Sequence, residues 1–114
     1  MPPRRGEIWM VSLNPVRGSE QAGTRPALIL QNDAINRFTT TVMALPLTTN
    51  LRRAALPSAV LLRQGEGGLP ADSVVLCHQA RALDKVRFIR LVGSISVQTL
   101  AEVESRMLFT LGIT

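Results

Sequence analysis

Over most of the chain the apolar residues fall in short runs broken by glycine, proline and small polar residues, a pattern of strands. Residues 7–13 (EIWMVSL) predict a first strand with both faces largely apolar, as in a barrel strand covered on two sides. Residues 26–31 (PALILQ) predict a second. Pro26 has no N–H, which suits a strand start, and it pushes Arg25 into an extended conformation. Asn32-Asp33 begins a turn, and residues 39–48 (TTTVMALPLT) predict a third strand, with Pro46 marking an edge or bulge near its end. Residues 59–63 (AVLLR) predict a fourth, closed by the turn GEGG at 65–68. Residues 73–79 (SVVLCHQ) and 88–95 (FIRLVGSI) predict a fifth and a sixth, the last kinked at Gly93.

The period changes only near the end. Val97, Leu100, Val103, Met107, Leu108 and Leu111 recur at helical spacing, with Ser96 to cap the helix, Gly112 to stop it, and Glu102 four residues before Arg106. Five or six short strands and one helix predict a mainly β fold: a small, strongly bent sheet or barrel closed by a C-terminal helix. Two connections are long, residues 15–24 and residues 49–57, and loops of that length often carry function. No repeat or linker divides the 114 residues, so one domain is expected.

Composition narrows the function. An apolar fraction of 46% excludes a disordered chain, and a net charge of +5 points to a polyanionic partner. Twelve of the thirteen basic residues are arginine, Lys85 being the exception. Guanidinium pairs with phosphate in a planar, two-pronged way, although GC-rich codon usage explains the same bias. A single cysteine, Cys77, allows no internal disulfide, fits a reducing compartment, and with one histidine makes no metal-ligand cluster. No apolar run is long enough to span a membrane, and MPPRRGE lacks an apolar signal core, so a cytoplasmic protein is expected.

Residues 18–30 (GSEQAGTRPALIL) put Arg25 at the junction of a polar loop and an apolar strand. With GEIWMVSLNPVRGSEQAGTRPALILQND before it and around it, then ALPLTTN, DSVVLCHQARALDK and RLVGSIS in order, the chain resembles the MazF/PemK toxin family from about Arg5 to Gly112. The resemblance implies an SH3-like barrel and a homodimer whose RNA groove crosses both subunits. It implies a metal-free endoribonuclease without cofactor that cuts single-stranded RNA at a short sequence. The 2′-hydroxyl attacks its own phosphate and leaves a 2′,3′-cyclic phosphate and a 5′-hydroxyl. It also implies an antitoxin whose acidic disordered tail fills the groove, with DNA contacted only through that complex.

Such a reaction needs a base for the 2′-oxygen, positive charge on the five-coordinate phosphate, and help for the leaving 5′-oxygen. The resemblance assigns Arg25 to the charge and Thr48 to hydrogen bonding at the phosphate or the 2′-hydroxyl. Glu20, in GSEQ, serves as base, orients Arg25 or holds the loop. His78 stands where some relatives carry an acid; it suits proton transfer, or it is a structural strand residue. Those relatives also carry a basic residue two positions earlier, where this chain has Leu76. Arg17, Arg52, Arg53, Arg81 and Arg87 are candidates for RNA backbone contacts, and Thr49 adjoins Thr48. Phe38 is a candidate for base stacking, while Trp9 belongs to the core by its place in the first strand.

Two other readings compete. The same barrel serves CcdB-like toxins that poison DNA gyrase, which end in Trp-Gly-Ile, whereas this chain ends Leu111-Gly112-Ile113-Thr114. A barrel that binds nucleic acid without cutting it is the third.

Overall fold

The computed structural model describes residues 2–14, 18, 20 and 23–114. The strands are β1 (Glu7–Ser12), β2 (Thr24–Ile29), β3 (Thr41–Thr48), β4 (Ala59–Leu62), β5 (Ser73–Leu76), β6 (Arg81–Asp84) and β7 (Phe88–Ser94). A short helix α1 (Asp33–Asn36) follows β2, and α2 (Val97–Thr110) ends the fold. The strands order as β4-β5-β3-β2-β1-β7, with β6 also paired to β3, and every pairing is antiparallel. No ladder joins β4 to β7, so the expected barrel is an open, barrel-like sheet.

Strand alternation sorts the apolar side chains into two cores. Ile8, Leu28, Leu45 and Leu47 pack with Val60, Leu62 and Val75 under Val103 and Met107 of α2. Val11, Leu13, Ala27, Ile29, Val42, Ala44 and Leu83 form the other. Burying each Leu, Ile or Val side chain stabilises the fold by about 1.5–3 kcal/mol. Trp9 is only half-buried: its ring meets Phe88 edge-on at 6.0 Å, and its indole N–H donates to Glu7 at 3.0 Å.

The C-terminal helix forms where its period placed it. Ser96 Oγ accepts the Thr99 N–H at 3.1 Å, and Gly112 takes φ +77° just past the end. Its buried stripe is narrower than the sequence predicted. Val103 and Met107 are buried, but Val97, Leu108 and Leu111 are exposed, because the sheet covers only one line of the helix. Arg106 donates to the Pro57 carbonyl at 2.9 Å rather than pairing with Glu102, and Arg5 bridges the Leu30 carbonyl and Glu104.

The predicted fifth strand is the main correction. It ends at Leu76; residues Cys77–Gln79 make a turn of 3-10 helix, and β6, unforeseen in the sequence, follows. The cause lies in β3. Val75 faces Leu47 and Arg81 faces Ala44, so six steps on one side match three on the other. Pro46, with no N–H to offer a ladder, lies within that gap.

A glycine contact seats the turn after β4. A Cβ on Gly93 would lie 2.5 Å from the Gly67 carbonyl oxygen, and one on Gly68 would lie 2.5 Å from the Val92 oxygen. Two backbones therefore touch where any side chain would part them. Glu66 completes the seat: its carboxylate accepts the Ser96 N–H at 3.2 Å, and hydrogen bonds from Thr99 and Ser96 hold it below the ordinary glutamate range. Gly93→Ala is expected to destabilise the fold by about 1–3 kcal/mol through overpacking against backbone that cannot yield. Urea unfolding checks this as a lowered midpoint at unchanged slope; an unchanged midpoint would refute the contact.

Candidate active site

The β2–β3 ladder runs from Ile29 opposite Ala44 to Ala27 opposite Pro46, and Arg25 and Thr48 lie two residues past that last pair, at positions that would face one another if the register continued. Arg25 pairs with Val11 on its other side and is exposed. Thr48 is buried, at 8% exposure, and its Oγ1 accepts the Asn50 N–H at 3.2 Å. That bond leaves the hydroxyl proton available to donate.

On the face shared by Pro46 lies a cavity of about 210 Å³. It is lined by Leu13, Glu20, Pro46, His78, Gln79, Ala80 and Arg81. The interrupted ladder places His78 here. In a continuous strand Cys77 and His78 would point to opposite sheet faces; in the 3-10 turn, Cys77 is buried against the α2 core while His78 is exposed. The ring's Nδ1 lies 3.5 Å from Ser58 Oγ. Burial pushes the Cys77 thiol up to about 11, partly offset by the Arg106 charge, so it is a neutral anchor under the turn.

A second cavity, of about 390 Å³, is lined by Arg25. Thr24, Arg25, Pro26 and Thr49 line it from β2 and the end of β3, Gly68–Ala71 and Ser73 from the segment between β4 and β5, and Met10, Arg90 and Val92 from β1 and β7.

The remaining candidates scatter. Arg81 is half-buried in the first cavity. Arg52 is exposed in the 3-10 turn Leu51–Ala55, whose first N–H groups include one capped by Asn50; Arg53 is half-buried with its Nε unpartnered. Arg87 donates to the Ser12 and Asn14 carbonyls, at 3.1 Å for Ser12, and so holds the chain just past β1. Phe38 is 78% exposed beneath the Arg37 guanidinium, at the end of β3 away from Thr48. Arg17 lies outside the described residues. The sequence reading missed Gln79, Ser73 and Arg90. Gln79 adjoins a candidate; Ser73 and Arg90 stand in the stretches DSVVLCHQARALDK and RLVGSIS with no role of their own, and the fold brings both to the cavity that Arg25 also lines.

Comparison with known proteins identifies the family and the fold. A family model described as PemK-like, MazF-like toxin of type II toxin-antitoxin system matches residues 4–111. Endoribonuclease MazF of Staphylococcus epidermidis is 36% identical over 110 residues, 96% of this chain and 92% of that protein. A crystal structure of MazF from Deinococcus radiodurans superposes with TM-score 0.85 at 31% identity, covering 98% of each chain. A mycobacterial endoribonuclease in complex with its cognate antitoxin superposes with TM-score 0.81 at 26% identity, covering 98% of this chain and 97% of that one.

The buried thiol gives a direct check on the turn that carries His78. Cys77 in the native protein is expected to resist a thiol reagent at pH 8 and to react only as the fold opens in urea. Rapid labelling without denaturant would mean that the turn does not pack as described.

Proposed function

We propose a mechanism and a set of partners for this chain, which belongs to the PemK-like, MazF-like toxin family of type II toxin-antitoxin systems. It is an endoribonuclease. Its substrate is single-stranded RNA cut at a short sequence, without a metal ion. The 2′-oxygen loses its proton and attacks the adjacent phosphorus; the O2′–P bond forms as the P–O5′ bond breaks. The 5′-oxygen takes a proton, leaving a 2′,3′-cyclic phosphate and a 5′-hydroxyl.

Arg25 neutralises the charge that grows on the five-coordinate phosphate, a role worth on the order of 10²–10³-fold in rate. A guanidinium is not deprotonated in proteins, so its role is to stabilise charge rather than to donate a proton. Thr48 donates its remaining hydroxyl proton to a phosphate oxygen or positions the 2′-hydroxyl, and its bond to Asn50 fixes the turn that presents Thr49. His78 and Glu20 line one cavity beside this pair, so the base is one of them or a water they hold. The observation that supports the proposal is the β2–β3 register, which, continued two residues past the pair Ala27–Pro46, would set Arg25 opposite Thr48 next to a cavity that Pro46 lines. Thr49, Arg52, Arg53 and Arg81 flank it as backbone contacts. Arg17 is a further candidate for a backbone contact, Arg87 is held by the Ser12 and Asn14 carbonyls, and Phe38 stacks on RNA farther along.

The active form is a homodimer in the cytoplasm, with the groove shared by two subunits. An antitoxin with an acidic tail occupies that groove; charge complementarity with a chain of net charge +5 supports this partner. DNA is met only through that complex. The family match along residues 4–111 does not favour the gyrase-poison reading.

Arg25→Ala is expected to lower the cutting rate at least about 10²-fold in a folded dimer, and Thr48→Ala to slow it strongly. Both are measured on a long single-stranded RNA in EDTA, with the fragment ends analysed. Wild-type rates would remove the residue concerned from the mechanism. With His78 as base, His78→Asn slows the reaction and flattens the acidic limb of the pH–rate profile. An unchanged limb passes the role to Glu20 or water.

A further inference from the structure

Ser58 Oγ lies 3.5 Å from ring Nδ1 of His78, the one histidine in the chain. Ser58 is half-buried, and it does not line the cavity that His78 shares with Glu20 and Pro46. The contact therefore holds the imidazole from outside that cavity. The two ring nitrogens point away from each other, so a partner at Nδ1 leaves Nε2 as the nitrogen free to meet a substrate.

Three elements build this contact. Ala59 pairs with Leu76, so Ser58 and Cys77 are the next residues outward on β4 and β5. There β5 leaves its ladder, and the 77–79 turn carries His78 to Ser58. The Ala59 N–H donates to the Leu56 carbonyl at 3.0 Å and closes the bend that holds Pro57 and Ser58. Helix α2 steadies both sides. Arg106 donates to the Pro57 carbonyl at 2.9 Å, and its charge acts on the Cys77 thiol beneath the turn.

A neutral imidazole has one N–H and one bare nitrogen, and the hydrogen bond at one nitrogen decides the state of the other. A base must offer the 2′-hydroxyl a bare nitrogen. A Ser58 hydroxyl that donated to Nδ1 would leave the hydrogen on Nε2 and spoil it for that task. We propose that Ser58 accepts a hydrogen bond from Nδ1–H of His78 and so positions the ring with a bare Nε2 turned to the cavity. This rests on the reading of His78 as the base. Nε2 takes the proton from O2′, and the electron pair left there forms the O2′–P bond as the P–O5′ bond breaks. O5′ takes a proton from water, and the ring returns its own to the solvent. Ser58 touches no reacting atom; it is a positioning residue. A contact of 3.5 Å is long for a hydrogen bond, as catalytic ones are before substrate binds. It strengthens when the ring becomes imidazolium, because the bond is then charge-assisted. Its loss therefore falls on kcat rather than on KM.

The test uses the full-length chain, made without a histidine tag and labelled with nitrogen-15, so every imidazole signal belongs to His78. Long-range nitrogen–proton correlation at pH 9, where an imidazole is neutral, reads which nitrogen carries the hydrogen. The wild type shows N–H at Nδ1 and a bare Nε2. Ser58→Ala populates the form with the hydrogen on Nε2. On single-stranded RNA in EDTA its kcat falls about tenfold, the low end for a hydrogen bond to a charged group, with KM unchanged. Ser58→Thr keeps the hydroxyl and restores both tautomer and rate. In a His78→Asn background, Ser58→Ala slows the reaction no further. Thermal melting of the Ser58 variants matches the wild type.

Three results would overturn the assignment: a wild-type ring with its hydrogen on Nε2, a tautomer that Ser58→Ala leaves unchanged, or equal slowing by Ser58→Ala with and without His78. Wild-type cutting by His78→Asn, with the tautomer still responding to Ser58→Ala, would overturn the base reading alone. The two failures are therefore separable.

Discussion

Pro46 interrupts one edge of β3, and the site follows from that interruption. A strand whose partner pairs without a break would carry residues 73–84 along it as one ladder. Instead β5 ends, a 3-10 turn intervenes, and β6 resumes three residues out of step. The extra residues are those that line the first cavity, His78 and Gln79 among them. The other edge of β3 stays paired with β2 from Ala44 to Pro46. A broken edge and an intact one on a single strand thus open a cavity beside Pro46 that His78, Glu20 and Arg81 line.

The second determinant is a contact between backbones. Gly67 and Gly93 touch where no Cβ fits, and Glu66 fixes the same turn to the first residues of α2. The turn after β4 can then wall a cleft against β7. One cavity therefore depends on a proline that withholds a hydrogen bond, and the other on two glycines that withhold side chains. Neither device adds a functional group; both set where functional groups can stand.

Net charge gave the class of partner but not the residues that meet it. Arg5, Arg87 and Arg106 are committed to carbonyls or a carboxylate of the fold itself. Arg52 and Arg90 face solvent, and Arg25 is exposed at the rim of the second cavity. An arginine that caps a carbonyl and one that awaits a phosphate are identical in composition. Only the surrounding backbone distinguishes them.

The amino-acid order by itself determined the strand-rich architecture, the capped terminal helix and the family, and it named Arg25 and Thr48 as candidates. Those rest on short-range signals: alternation, a proline at a strand start, a serine before a helical period, and motifs held in a fixed order. Tertiary structure decided the rest. It split the predicted fifth strand, created β6, exposed half of the apolar stripe of α2, turned Arg87 inward and aligned Arg90 with Met10 and Pro26. The physical reason is that pairing register and backbone contact join residues far apart in the chain, Ala44 to Arg81, Gly67 to Gly93 and Met10 to Arg90, and no local pattern encodes which residue will lie opposite which.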